Sequence, residues 1–185
     1  MPKIRYLDGK RLYYAFVAGG EAIVRQRGRL NSINVFPVPD SDTGTNLAST
    51  VMSIREKSRY RRSLKDTCRS IADAALEGAR GNSGIIFAQF VYGFSEGVGE
   101  NRELSASGFS RSLENAVSCA YEAIGHPVEG TMITVMREWA ERVGRLKSET
   151  PDYFDLLKNS LETAKNSVKN TTSRLSVLAE SGVVD

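Results

Sequence analysis

Apolar positions recur along nearly the whole chain at spacings of three and four, the period of a helix with one buried face. Nowhere do they alternate as in a half-buried strand. Read in order, the pattern predicts eight helices. The first follows Asp8, an expected N-cap, carries Leu12, Phe16, Gly20 and Ile23 on one face, and runs out near Arg27–Gly28. The second begins near Asn46 with Thr45 as its cap and shows Leu47, Val51 and Ile54. The third opens at Ser63, with Asp66 three residues on in a capping pattern, and buries Leu64, Cys68, Ile71, Ala75 and Ala79. The fourth, from Asn82 to Glu96, is apolar nearly all round, with Ile85, Ile86, Phe87, Phe90, Val91 and Phe94, as expected of a helix at the centre of a fold.

Ser95 to Ser107 reads as an exposed polar loop. The fifth helix then carries Leu113, Ala116, Ala120 and Ala123, and the sixth starts at Thr131 with Met132, Val135, Trp139 and Val143. Pro151 opens the seventh in its first turn, where proline fits, ahead of a stripe of Phe154, Leu157, Leu161, Ala164 and Val168. A short eighth helix spans Thr172 to Glu180 and Gly182 ends it. All five prolines fall outside these helices or in a first turn. The chain reads as an all-α bundle of about eight antiparallel helices, one domain over residues 1–185.

Three stretches break the helical pattern. The first, Asn34 to Asn46, reads N-V-F-P-V-P-D-S-D-T-G-T-N. Pro37 and Pro39 force extended geometry on it, and it ends in two carboxylates, Asp40 and Asp42, one residue apart. Alternate side chains of an extended backbone point the same way, so both carboxylates can face one hard cation, with phosphate oxygens and water completing its shell. The N–H groups of Thr43 to Leu47 then stand at a helix N-terminus, where an anion is favoured. Taken alone, D-x-D-x-G is equally an acidic turn that caps a helix.

The second stretch is Gly78-Ala79-Arg80-Gly81-Asn82-Ser83-Gly84. Gly81 and Gly84 allow close approach of backbone to a ligand, and Asn82 and Ser83 can donate to phosphate. A tight turn between two packed helices has the same composition. No Lys-Ser/Thr ending and no preceding strand are present, which excludes a P-loop. The third stretch, Glu129-Gly130-Thr131-Met132, offers Thr131 as cap or phosphate donor and Met132 as an apolar wall or a core residue.

Composition narrows the chemistry. With 25% charged and 41% hydrophobic residues the chain is an ordinary globule, and a net charge of +3 does not argue for nucleic acid. The basic run Arg59-Tyr60-Arg61-Arg62 is read as a solvated linker. The longest apolar region, Ile85 to Phe94, is too short for a membrane span, and the N-terminus carries no signal-peptide core. Cys68 and Cys119 are expected as reduced core thiols of a cytoplasmic protein. His126 is the only histidine, too few for a histidine metal cage or triad.

Together the three strings N-V-F-P-V-P-D-x-D-T-G-T-N, G-A-R-G-N-S-G and E-G-T-M resemble the nucleotide-binding domain of the bacterial fatty acid kinase A subunit. That domain is similar in turn to the L subunit of dihydroxyacetone kinase. Y-L-D-G-K-R-L and I-I-F-A-Q-F also look like fusions in which such a domain precedes a fatty-acid-binding domain of the DegV type. The resemblance implies an eight-helix barrel holding ATP or ADP with Mg²⁺ at one end. By position it implies Asp40 and Asp42 as metal-binding and catalytic groups, with Asn34 as a weaker candidate ligand whose spacing is off by one. It implies Thr43, Gly44, Thr45 and Asn46 as the phosphate loop, Gly81, Asn82, Ser83 and Gly84 as a second phosphate contact, and Thr131 and Met132 in the nucleotide pocket.

Family members continue beyond G-V-V-D with a glycine-rich segment whose counterpart touches the nucleotide. This brings Asp185 into the expected set and reads the chain as one domain of a longer protein. Ser41 stands where the family usually has glycine, and is expected to fit only with a negative φ. The activity implied is phosphoryl transfer from ATP to a fatty acid presented by a separate or fused fatty-acid-binding domain. A dihydroxyacetone-type kinase and an ADP-Mg²⁺ sensor without turnover are the alternatives. Self-association as a homodimer stays open.

Overall fold

Eight helices and one pair of two-residue strands make up residues 3–150 and 152–185, the part described by a computed structural model. In chain order they are β1 (Leu7–Asp8), α1 (Gly9–Ser32), α2 (Thr43–Lys57), α3 (Leu64–Gly78), α4 (Gly81–Val98), β2 (Glu103–Leu104), α5 (Ala106–Glu122), α6 (Met132–Leu146), α7 (Tyr153–Arg174) and α8 (Ser176–Ser181). The fold is all-α, as the periodicity predicts. β1 and β2 pair antiparallel, Leu7 opposite Leu104, with β2 inside the stretch expected as loop. Two residues are too few for an alternation to show.

Several boundaries differ from expectation for local reasons. α1 runs on past Gly28 to Ser32, and α2 starts at Thr43 rather than Asn46. Thr45 therefore lies inside the first turn of α2 and does not cap it. Ser63 caps α3 as predicted, its hydroxyl accepting from Asp66 N–H at 3.1 Å. Pro151 lies outside the described residues; α7 is capped by Asp152, whose carboxylate accepts from Phe154 N–H at 3.0 Å. α7 then extends to Arg174, which shortens α8 to Ser176–Ser181, and Gly182 ends α8 at φ +66° as expected.

The buried stripes of α3 and α5 are those predicted, except that Ala79 and Ala123 sit at the helix ends, half-buried and exposed. α4 is less central than its composition implies: Ala88, Val91, Phe94 and Val98 are buried, while Ile85 is exposed. On α6 the core face is Ile133, Ala140, Val143 and Leu146, leaving Met132, Val135 and Trp139 at its edge. The largest correction falls on α7. Its core residues are Tyr153, Leu156, Ser160, Ser167 and Thr171, and the predicted stripe of Phe154, Leu157 and Leu161 faces solvent.

Aromatic rings organise the centre. Phe109 meets Phe94, Tyr153 and Trp139 edge-on at centroid distances of 5.6, 5.6 and 6.2 Å. The polar tips are satisfied: Tyr153 donates to the Leu104 and Ser105 carbonyls at 2.8 and 3.0 Å, and Trp139 Nε1 to Ser160 Oγ at 3.0 Å. Ser160, on the core face of α7, supplies the polar partner that the Trp139 indole needs.

Consecutive helices pack side by side, and α2 also packs on α4. Gly93 and Gly97 let α4 approach α5, since a Cβ on either would lie 2.7 Å from Cys119 Cβ or 2.6 Å from Ser112 Cα. This antiparallel register carries the turn between α5 and α6 to the level of Gly81–Gly84. Up-and-down alternation thus puts the α1–α2, α3–α4 and α5–α6 turns at one end of the molecule. No helix among the described residues is long and apolar enough to cross a membrane.

Candidate functional site

The acidic loop is shaped by Asn34. Its Oδ1 accepts from the N–H groups of Asp42 and Thr43 at 3.0 and 3.2 Å, and its Nδ2 donates to the carbonyls of Phe36 and Val38, both at 3.3 Å. One side chain ties both ends of the proline turn and caps α2 from eight residues upstream. Both polar atoms of Asn34 are thus engaged in holding the loop. The Phe36–Pro37 peptide is cis. Asp40 is exposed and Asp42 half-buried, and neither carboxylate caps the helix it precedes.

Ser41, between the two carboxylates, has φ +57°. The expectation of a negative φ is wrong: serine occupies the left-handed region, at a cost of about 1–2 kcal/mol that glycine avoids. Asp42 follows at φ −115° and ψ −8°, so the backbone between the two carboxylates is a turn and not extended, and the alternation expected to aim both at one point does not hold there.

A second asparagine, not anticipated from sequence, clamps the start of α2 to the end of α1. Asn31 Oδ1 accepts from Thr45 N–H, and Asn31 Nδ2 donates to Thr45 Oγ1, both at 3.0 Å. Gly44 makes the clamp possible, because a Cβ there would lie 2.2 Å from the Arg27 carbonyl oxygen. The N–H groups of Thr43 and Thr45, expected to face an anion, are therefore occupied by the two asparagines. Nothing in the string marks Asn31; its role comes from the crossing of two helices.

The start of α4 differs. Gly84 N–H bonds Arg80 O at 3.1 Å, and among the described residues no protein group accepts the N–H of Gly81, Asn82 or Ser83. This helix start lies against that of α2, with Ser83 Oγ 3.4 Å from Thr43 O. Gly81 has φ +57° and its missing Cβ would lie 2.1 Å from Asn46 Nδ2. A Cβ on Gly84 would lie 2.7 Å from Thr50 Oγ1. The close approach these glycines permit is that of α4 to α2. Asp40, Asp42, Thr43, Gly44, Asn46, Gly81, Asn82 and Ser83 are thereby gathered around two neighbouring helix starts.

Thr131 and Met132 form a separate cluster at the same end. Thr131 occupies the N-cap position of α6, but its hydroxyl donates to Val128 O at 2.8 Å and caps nothing. Met132 is half-buried, and its N–H bonds Asp185 Oδ2 at 2.6 Å. Loss of water around the Asp185 carboxyl raises its pKa, and the Met132 N–H pulls the other way.

Glu129 anchors this turn. It accepts from Tyr121 Oη, Thr134 Oγ1 and the Arg137 guanidinium, each at 2.8 Å. Burial works to raise its pKa, but these three donors outweigh it and hold the carboxylate below its ordinary value.

The donor set bears on which cation it fits. Among the described residues no three His, Cys, Asp or Glu side chains come together to form a cage. Two neighbouring carboxylates without a third fit a hard ion such as Mg²⁺ that takes its remaining ligands from phosphate and water, and do not fit a protein-only site.

An antiparallel helical domain with glycine turns, an acidic loop and paired helix starts at one end is the class that fold and site define. A sequence profile of the DAK2 domain matches residues 37–185, and the chain belongs to that family, the dihydroxyacetone kinase L-subunit-like domains, which are kinase-like nucleotide-binding domains. Similarity over nearly the whole of this chain extends to uncharacterized proteins of staphylococci. One from Staphylococcus saprophyticus is 38% identical over 97% of this chain and 33% of its own length. One from Staphylococcus epidermidis is 35% identical over 98% of this chain and 33% of its own, and one from Staphylococcus aureus 33% over 98% and 34%. The chain spans about a third of the length of the curated relatives it matches.

Proposed function

We propose that this domain binds an adenine nucleotide with Mg²⁺ and serves as the phosphoryl-donor site for a fatty acid held on a separate or fused fatty-acid-binding domain. One observation carries the reading: the N–H groups of Gly81, Asn82 and Ser83, which no group among the described residues accepts, lie beside the loop that bears Asp40 and Asp42. An anion cradle next to an acidic pair calls for a cation between them. Asp40 and Asp42 would hold the metal, and the start of α4 would hold phosphate oxygens, with the Asn82 side chain adding a donor and the Ser83 hydroxyl another on turning from the Thr43 carbonyl. Mg²⁺ would neutralise charge on the transferring phosphoryl group. Asn34 and Asn31 act through the backbone, keeping the carboxylates and the start of α2 in place.

Phosphoryl transfer asks the protein for positioning and charge neutralisation rather than a nucleophile. A fatty carboxylate is already ionised at neutral pH and needs no general base, which suits a site that offers none. The family match favours a second reading, a small polyol as acceptor.

Calorimetry of ATP binding with Mg²⁺ and with EDTA tests the cation. Affinity should depend on Mg²⁺, and Asp42→Ala should remove the dependence; equal affinity in EDTA would end the metal-bridge reading. Radiolabelled ATP offered a fatty-acid-loaded partner and, separately, dihydroxyacetone tests the acceptor. Transfer to dihydroxyacetone alone would favour the polyol reading, and binding without transfer by the longer protein would leave a nucleotide sensor.

A further inference from the structure

Five apolar residues of α7 lie outside its buried core face. Phe154, Leu157 and Leu161 are 64%, 40% and 49% exposed, and Ala164 and Val168 continue the line half-buried. Their spacing is three, four, three, four, the narrow seam by which one helix packs along another. At 1.5 Å per residue the seam is about 21 Å long. A contiguous exposed apolar line of this kind marks an interaction site.

The flanks determine what fits. On one side the seam borders the core face of α7, where Ser160 and Ser167 are buried, so a partner cannot reach round it there. On the other side run Lys158, Lys165 and Lys169. Lys165 is paired with Glu162 at 2.8 Å, and Lys158 and Lys169 take part in no ion pair among the described residues. Antiparallel self-pairing about Leu161 would set Lys158 against Lys165 of the second copy, and the reverse, opposing like charges on both sides. Parallel self-pairing would require the buried serine flank. We propose that the seam of α7 docks an amphipathic helix of a different polypeptide segment, apolar on the facing side and acidic on the flank that meets these lysines.

The test uses the full chain and two labelled synthetic helices of about three heptads, with leucine at the seam positions and either glutamate or lysine beside them. Fluorescence anisotropy should show the acidic helix binding and the basic helix roughly tenfold weaker or worse, the weight of a few opposed charges at a rim. Leu157→Glu with Leu161→Glu should abolish binding while the protein stays folded and keeps its nucleotide binding, since both positions lie outside the buried core face. Lys158→Glu with Lys165→Glu should reverse the preference between the two probes. No binding of the acidic helix, or equal binding of both, would overturn the proposal. So would a dimer in sedimentation that Leu161→Glu dissolves, because the occupant would then be a second copy.

Discussion

Asn34 does the work of a small scaffold. Four hydrogen bonds from one amide hold the turn that presents Asp40 and Asp42. Asn34→Ala leaves two half-buried N–H groups and two carbonyls without that partner, a loss of about 1–3 kcal/mol. If Asn34 positions the loop, the variant should melt lower and lose most of its Mg²⁺-dependent gain in ATP affinity, both readable by calorimetry. Ser41 allows the opposite experiment. Replacing it by glycine relieves the left-handed strain but loosens the unfolded chain, for a net gain of roughly 0.5–1 kcal/mol. In a domain of this size that corresponds to a rise of about 1–4 °C in Tm. An unchanged or lower Tm for Ser41→Gly would mean that the serine hydroxyl compensates for its φ.

Among the elements, the contact between α2 and α4 is set by Gly84 and Gly81. Gly84→Val must drive side-chain carbons into Thr50 and push the helices apart, an overpacking cost of about 1–3 kcal/mol. Thermal melting of the ligand-free protein should show it; a normal Tm with lost nucleotide binding would instead return Gly84 to direct ligand contact.

Helix number and type, and the caps Asp8 and Ser63, were legible because periodicity and capping chemistry are local. The three special turns were legible for the same reason, each being a run of residues that a helix does not tolerate. Asn31 was not, because nothing near it in sequence tells that Thr45 will lie against it. Nor was the face of α7, where Phe154, Leu157 and Leu161 make the better apolar stripe on paper. Tyr153 and Ser160 win in the fold because they complete hydrogen bonds and ring contacts made with residues of β2, α5 and α6, and Leu156 is buried with them.

For the molecule as a whole, alkaline pH should be the weak side. Burial pushes the Cys68 thiol from 9.0 up to about 12 and also raises the Tyr153 phenol, so the fold holds both groups neutral. A pKa raised by folding means that its stabilisation is complete below the unfolded value and is lost as pH climbs toward the folded one. Denaturant midpoints should therefore fall between about pH 9 and 12. Cys68→Ala should lessen the fall, and a flat profile over that range would contradict it. The proposed activity also belongs to this scale. The domain by itself should bind ATP-Mg²⁺ and turn it over negligibly, with acyl phosphate appearing when a fatty-acid-loaded partner is added, scored by transfer of label.

The clamp between Asn31 and Thr45 bears on transplantation. Moved into another scaffold as Asn34 to Asn46, the acidic loop would keep its internal ties through Asn34 and lose its outside anchor. The smallest portable unit runs from the last turn of α1 through α2 and includes a foreign helix offering glycines where Gly81 and Gly84 stand. A designer would have to import a three-helix corner to recover a thirteen-residue motif.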